Sequence, residues 1–576
     1  MTRIESFFMK NGSKKRYLAL ALSTAFLASC SLRVSIHGSY SYLSGTLLEK
    51  KDVSSVLYHD FFYQSQGGSS DSLLSLGNER CLVLPISFSD YGWSDKRLQD
   101  LDVAFNGKGA ATHYWESVSS FYEKSSFSQL HLSFTIAKPY AVSSTAVGFL
   151  AKSNDINSSK SAASSVMASA LVDYKTKTGD SCRDCDVNGD GFIDAVYLIY
   201  ACPDYLSAKN SGLTDLSERQ GYWAYTARDV TAHANVTSPV GRSFTWASYD
   251  FLYRGVSPSR DETSRVDAHT YIHETGHLLG LDDYYSYTPG ESDYTNMAYK
   301  YEMPTGGLDM MDLNILDHDA WSKFALGWNR PCVITENLSF PLTFELEESQ
   351  VAGDFVLIPA AGEGYNGTAF GEYLMIELYT PDNLNELDSK TKYAPDYKYP
   401  RGFFMPGVKI SHVDARMARY ANRTFDYNVD MTTFKNDIKS STASSYYRLG
   451  ASNSANRSSK EGYRLIHLLE GNGTFTFGNQ DYEKWDNEYF YANNSTLFEA
   501  EDERSTFDMT RFSSFFLNRK TISSASSSSS SSSTTLTQGL FNNGREFPYT
   551  IRVNGIQGTT IEGETTYKAS LTIVKA

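Results

Sequence analysis

The stretch from Tyr271 to Tyr285, YIHETGHLLGLDDYY, groups residues that could do chemistry together. His273, Glu274 and His277 form the pattern H-E-x-x-H, and Gly280 and Asp283 follow at fixed offsets. At 3.6 residues per turn, His273 and His277 lie about 40° apart on one helix face, so both imidazoles can reach one metal ion. Glu274 projects about 100° from His273, close enough to face a water on that metal without displacing it. Ile272, Gly276 and Leu279 follow helical spacing on the other side, which would bury against the body of the protein. Gly276 has no side chain, so a neighbouring element can approach closely there. Gly280 supplies the permissive backbone that ends the helix and turns the chain back, bringing Asp283 within reach as a third ligand. Three protein ligands leave one coordination position open, the mark of catalytic rather than structural zinc. Zinc lowers the pKa of its bound water to about 7 and polarises a carbonyl. Glu274 would take the proton of that water as general base and deliver it to a leaving amine.

Other residues compete for roles around this centre. Asp282 sits beside Asp283, and His269 lies one turn before His273, so H-x3-H-x3-H runs along one face. His269 reads either as a ligand, as a surface histidine, or as a hydrogen-bonding partner behind the ligands. Asp312, Asn314, Asp317 and His318 form a further polar cluster, suited to supporting the centre, to calcium, or to capping and turns. A separate loop carries Asp186, Asn188, Asp190 and Asp194, with oxygen side chains at alternate positions and Gly191 to turn it. That pattern suits a hard cation such as calcium, but Tyr197 occupies the twelfth EF-hand position, so a complete EF-hand is excluded. Asn-Gly and Asp-Gly turns before a strand account for the same residues. His412 and Asp414 read as structural.

The elements that must hold these residues are legible in outline. CLVLPISF, from Cys81, has the length and apolar content of a buried strand, and Gln129 to Ile136 alternates as a half-buried one. Residues 113–124 and 160–174 have helical spacing, and AVYLIYA after Asp194 is a strongly apolar strand. After Trp328, strand-like runs at 354–359, 372–378, 407–413, 463–469, 547–554 and 565–574 alternate with long polar loops, which predicts a β-sandwich-like region. Ser526 to Ser533 is a polyserine run, predicted to be a disordered surface loop. The expected division is a leader over 1–30, a tether or short pro-segment over 31–76, a catalytic unit over 77–330 and a β-rich region over 331–576. A chain of 576 residues is too long for one hydrophobic core.

Lys and Arg total 52 against 67 Asp and Glu, a net charge of −15 with no long basic run. Nucleic acid is therefore not an expected partner. Lys10, Lys14, Lys15 and Arg16 precede an apolar run from Tyr17 to Leu27 that ends in Leu27-Ala28-Ser29-Cys30. The order basic, apolar, small is that of an export signal, and its LASC ending resembles the lipobox of bacterial lipoproteins, in which Cys30 carries the lipid. The mature chain is expected outside the cytoplasm, at the bacterial cell surface and membrane-anchored by acyl chains, or secreted if the signal is a plain secretory one and Cys30 is incidental. Cys81, Cys182, Cys185, Cys202 and Cys332 remain, an odd number. In an oxidising compartment, Cys182 and Cys185 at CxxC spacing are expected to form a local disulfide.

With these landmarks in order, the chain resembles the immune inhibitor A family of secreted bacterial metallopeptidases, within the metzincin group. The core motif HExxHxxGxxD is matched by His273, Glu274, His277, Gly280 and Asp283. Gly307-Leu-Asp309-Met310-Met311-Asp312 resembles the family's Met-turn segment, and Ala320-Trp-Ser-Lys323 to Gly327-Trp328 resembles the A-x-x-K…GW that follows. VLPISFSD (83–90), SSFYEKSSFSQLHL (119–132), DVNGDGFIDAVYLIYA (186–201), EYLMIEL (372–378) and GVKISHVD (407–414) resemble further landmarks, so the likeness spans roughly 77 to 415. It implies an α+β metzincin-like zinc peptidase domain followed by a β-sandwich-like C-terminal region. It also implies His273, His277 and Asp283 as zinc ligands, Glu274 as the catalytic base, Met311 beneath the metal and a substrate-aligning edge strand. Extracellular proteins or peptides would be the substrates. Metzincins often place a Tyr two residues after that methionine, where this chain has Leu313, so Tyr284 and Tyr285 become candidates for steadying the oxyanion. The competing function is a surface adhesin or glycan-binding lipoprotein in which the peptidase unit is only a scaffold, although a scaffold has no need of Glu274.

Overall fold

The computed structural model describes residues 40–43, 46–49, 73–107, 115–153, 156–254, 265–285, 304–391, 393, 402–421, 424–426, 429, 431–437, 446–454, 463–474, 492–524 and 534–575. The leader with Cys30, most of the expected tether and the polyserine run lie outside these residues. The fold is mixed α/β with several sheets.

One sheet organises the first half of the chain. Its strands run in the order Leu130–Ile136, Gly77–Ser87, Val196–Tyr200, Ser243–Ser248, Tyr225–Arg228. The first four are parallel, while Tyr225–Arg228 is antiparallel and forms the outer edge. Parallel strands are buried on both faces, which is why LVLPI and VYLIY read as continuous apolar runs. Leu82, Leu84, Val196, Leu198, Phe244 and Trp246 face one layer, where the helix Lys160–Thr178 packs through Ala163, Val166, Met167 and Ala170. Cys81, Val83, Tyr197 and Ile199 face the opposite layer, which contains the helix His269–Leu278. The predicted helix near 113–124 spans Val118–Ser125, starting after a reciprocal capping box between Ser117 and Ser120.

Two further sheets come mainly from the second half. One runs Cys332–Val333, Val356–Pro359, Glu372–Tyr379, Gly407–Asp414, Ile466–Leu469. The other runs Thr46–Glu49, Tyr40–Leu43, Leu342–Glu347, Glu564–Lys575, Tyr549–Ile561, Thr506–Phe507. Glu372–Tyr379 explains how the halves join. Leu374, Ile376 and Leu378 enter one apolar cluster with Phe344, Leu346, Ile551, Leu571 and Ile573. Tyr373, Met375 and Tyr379, alternating with them, enter the cluster that also holds Tyr271, Ile272 and Met311. With side chains alternating between faces, the strand serves two cores at once. The expected boundary at 330 is therefore a boundary in the chain but not in the packing.

Two expectations are revised. Within the expected tether, Tyr40–Leu43 and Thr46–Glu49 form a hairpin, and Leu43 pairs with Phe344 in the sheet of the C-terminal region. Cys182 and Cys185 are not joined: both are buried free thiols, as are Cys81 and Cys202. The neighbouring Cys185 thiol holds Cys182 below the ordinary thiol range. Exchange requires an accessible thiolate, which burial of both sulfurs opposes.

Candidate metal centre

The helix His269–Leu278 is clamped on several sides before its functional residues are considered. The Tyr197 and Thr275 hydroxyls share a hydrogen bond of 2.9 Å, the Tyr271 hydroxyl donates to the Ser248 carbonyl at 2.8 Å, and the Tyr122 hydroxyl donates to the Ile272 carbonyl at 2.7 Å. Gly276 is required by its neighbour, because a Cβ there would collide with the Met311 sulfur. At the helix end Gly280 has φ 100°, a left-handed value that glycine adopts freely. The Leu281 N–H then returns to the Gly276 carbonyl at 3.0 Å, and the Tyr284 N–H reaches the Met311 carbonyl at 2.8 Å. That turn carries Asp283 back over the helix face.

His273, His277 and Asp283 consequently bring ligand atoms within 4.8 Å of one another, the only group of three or more His, Cys, Asp or Glu among the described residues to do so. Asp283 Oδ1 lies 2.9 Å from His273 Nε2 and 3.3 Å from His277 Nε2. Each remaining ring nitrogen is tied to backbone: His273 Nδ1 to the Met310 carbonyl at 2.7 Å and His277 Nδ1 to the Leu281 carbonyl at 2.8 Å. Carbonyls can only accept, so both Nδ1 atoms carry the proton and both Nε2 atoms face the centre. The two rings stand nearly perpendicular, 88° apart, with centroids 4.8 Å from each other. Two imidazole nitrogens and one carboxylate oxygen, converging and braced from behind, fit the donor set of a zinc site.

Electrostatics match this geometry. Burial opposes a charge on Asp283, yet His277 and His273 hold its carboxyl well below the usual carboxylate range. Burial likewise works against a charged His277, but Asp283 outweighs it and pushes the imidazole up to about 10. Burial raises Glu274, while His277 and His273 pull it partly back. A base lifted toward neutrality by its surroundings accepts a proton more readily than a solvated carboxylate does.

The two adjacent methionines divide their roles. Met311 supplies the side chain under Gly276, and Met310 supplies the carbonyl that orients His273. The competing ligands lie elsewhere. His269 is fully buried, with Nδ1 2.7 Å from Asp267 Oδ1 and Nε2 3.5 Å from Asp388 Oδ1. Its ring is stacked between Trp115 and Tyr393, so it is not a surface histidine. The Tyr284 hydroxyl bonds Ser322 Oγ at 2.5 Å inside the core, which removes Tyr284 as an oxyanion donor; Tyr285 is half-buried.

Asp312 accepts from the Thr305 hydroxyl and the Gly307 N–H, and Asp317 accepts from Ser125 and Lys323. These are braces of the turn and helix behind His273. Asn314 adopts a left-handed φ of 60°, and His318 is buried beside Tyr122. His412 meets Glu372 at 2.9 Å and Asp414 meets Arg416 at 2.8 Å within a buried polar network, a structural placement for both.

The Asp186–Asp194 loop folds on its own backbone. Asp186 accepts from the N–H groups of Asp190 and Gly191, Asn188 from Asp190, Asp190 from Phe192, and Asp194 from Val187. Its acidic oxygens do not converge as those of the histidine centre do. Behind it, burial raises Asp194 to about 9 and Glu79 to about 7, with the neighbouring Glu79 carboxyl adding to the shift of Asp194. These backbone contacts are those that the Asn-Gly and Asp-Gly turn reading expects. Sequence alone signalled neither Glu79 nor Thr226, whose hydroxyl reaches Glu274; both depend on strands distant in the chain. Among the described residues, no helix is long and apolar enough to cross a membrane. No family model matches this chain, and no curated protein matches it.

Proposed function

We propose that this protein is a zinc-dependent endopeptidase of metzincin-like architecture, carried on a β-sandwich-like C-terminal region and acting on extracellular proteins or peptides while anchored outside the cytoplasm. The observation that carries the reading is the convergence of His273, His277 and Asp283 beside a buried Glu274. The resemblance of the ordered motifs to immune inhibitor A peptidases supports the same conclusion.

His273, His277 and Asp283 would hold the ion, with the Met310 and Leu281 carbonyls fixing the imidazole tautomers. A zinc ion at this position supplies Lewis acidity and an acidified water. Glu274 takes the proton of the attacking water as its oxygen bonds to the scissile carbonyl carbon, and returns that proton to the amine nitrogen as the C–N bond breaks. The upward shift that burial gives Glu274 makes it a stronger acceptor of that proton. The test is metal analysis combined with cleavage-site mapping on denatured protein substrates. One zinc per chain is expected, with cleavage that Glu274→Gln abolishes while the zinc stays bound. Undiminished cleavage by Glu274→Gln would overturn the mechanism.

A further inference from the structure

The edge strand Tyr225–Arg228 does more than close its sheet. Thr226 stands directly opposite Thr245 in the antiparallel register. Its hydroxyl lies 3.0 Å from Glu274 Oε2, 3.1 Å from the Glu274 carbonyl oxygen and 3.1 Å from Thr245 Oγ1. Thr226 and Glu274 are 48 residues apart in the chain, so only the sheet-to-helix packing brings them together. The contact with Oε2 is the only hydrogen bond that the described residues give the Glu274 carboxylate. Glu274 is otherwise almost completely buried, at 4 % exposure.

A threonine hydroxyl has one proton and two lone pairs. When that proton goes to Glu274 Oε2, the fully buried Thr245 hydroxyl can donate into the Thr226 oxygen, giving a directed chain Thr245 to Thr226 to Glu274. A hydrogen bond to a carboxylate is stronger than one between neutral groups and fixes the plane of the acceptor. With Oε2 tied, Oε1 is the oxygen left to receive a proton.

We propose that Thr226 is the positioning residue for the general base: its hydroxyl holds Glu274 Oε2 so that Oε1 faces the attacking water. This rests on the peptidase reading above, and it places the control of the base on the strand at the sheet's free edge. Thr226 acts through Glu274, which its hydroxyl touches, and is not among the three groups that converge at the centre.

The experiment replaces the hydroxyl while keeping the shape. In the full-length zinc-loaded protein, Thr226→Val is expected to lower kcat by about 10–100-fold, as loss of one hydrogen bond to a charged group would. KM should stay within about twofold and zinc content at the wild-type level, since the substitution keeps the side chain's shape and the strand's backbone and leaves His273, His277 and Asp283 in place. Thr226→Ser should restore kcat, and Thr226→Ala gives the same outcome as Val should Val fail to fold. A readout independent of activity is the Glu274 side chain in crystal structures of the zinc-free protein, with one orientation in wild type and Thr226→Ser and a changed or split orientation in Thr226→Val. An unchanged kcat, a defect that lies wholly in KM or zinc content, or an unmoved Glu274 in Thr226→Val would each overturn the proposal. Should the wild type cleave no peptide, the peptidase reading fails, while the Glu274 orientation still decides whether Thr226 holds that carboxylate.

Discussion

Asp283 illustrates how a single carboxylate serves two tasks at the centre. Before any ion binds, it holds both Nε2 atoms in register through contacts of 2.9 and 3.3 Å. On the reading proposed above, the same oxygen would then be the third ligand. Loss of a partner that merely orients a ligand costs about 10–100-fold in metal affinity, so removing the ligand itself should cost more. Asp283→Ala is therefore expected to weaken zinc retention by more than about a hundredfold, read by competition with a chelator. His269→Ala should leave zinc affinity within a few-fold, because His269 faces Asp267 and Asp388 instead. The reverse ranking would show that the ligand assignment is wrong. At this scale the sequence was highly informative: HExxH spacing on a helix dictates where two imidazoles point. Spacing alone did not separate Asp282 from Asp283, because a one-residue choice in a turn depends on the backbone after Gly280; the resemblance to the HExxHxxGxxD motif made that choice.

At the scale of the element, the helix His269–Leu278 is fixed from below and from its N-terminal end. Below it, Gly276→Ala forces the Met311 sulfur to move and should cost about 1–3 kcal/mol, seen as a lowered midpoint in urea unfolding. A midpoint equal to wild type would mean that Met311 is not packed on that glycine. At its N-terminus, burial disfavours a charged His269, but Asp267 and Asp388 outweigh it and raise the imidazole to about 9. The raised value means that the folded state binds the proton more tightly than the unfolded chain does. This stabilisation is complete below about pH 6.5 and is lost as pH climbs through about 9. Wild type should therefore lose stability between pH 6.5 and 9.5 more steeply than His269→Gln, by up to about 3 kcal/mol across that window. Parallel pH profiles in urea unfolding would refute the charged clamp. The helical spacing made the helix itself predictable, but Asp388 is over a hundred residues away and only the folded chain brings it to His269.

At the scale of the whole molecule, the two halves share a strand rather than merely touching. Glu372–Tyr379 offers Tyr373, Met375 and Tyr379 to the layer of the helix His269–Leu278 and Leu374, Ile376 and Leu378 to the C-terminal layer. A fragment ending at residue 330 would lose one wall of its core, along with Asp388 and Tyr393 around His269. We expect the fragment 77–330 to lack cooperative unfolding and to bind a hydrophobic dye, whereas the intact chain unfolds cooperatively. A soluble, cooperatively folding fragment would refute the shared core. Change of composition after Trp328 was visible in the residues, but composition reports what a strand contains and not which sheets it lies between. The paired strands Tyr40–Leu43 and Thr46–Glu49 taught the same lesson, since Leu43 pairs with Phe344 and no local pattern announces so distant a pairing.

What the sequence determined by itself was local and periodic. A 3.6-residue repeat set two histidines and a glutamate on one helix, a glycine marked its end, and apolar runs marked most of the buried strands. The tertiary structure decided everything that depends on contact between distant segments. It set Met311 rather than Met310 beneath the helix, turned Tyr284 into the core, left Cys182 and Cys185 as thiols, and brought Thr226 to the base. The physical reason is that helix periodicity acts over a few residues, whereas hydrogen bonds and packing act over a few ångströms, whatever the distance along the chain.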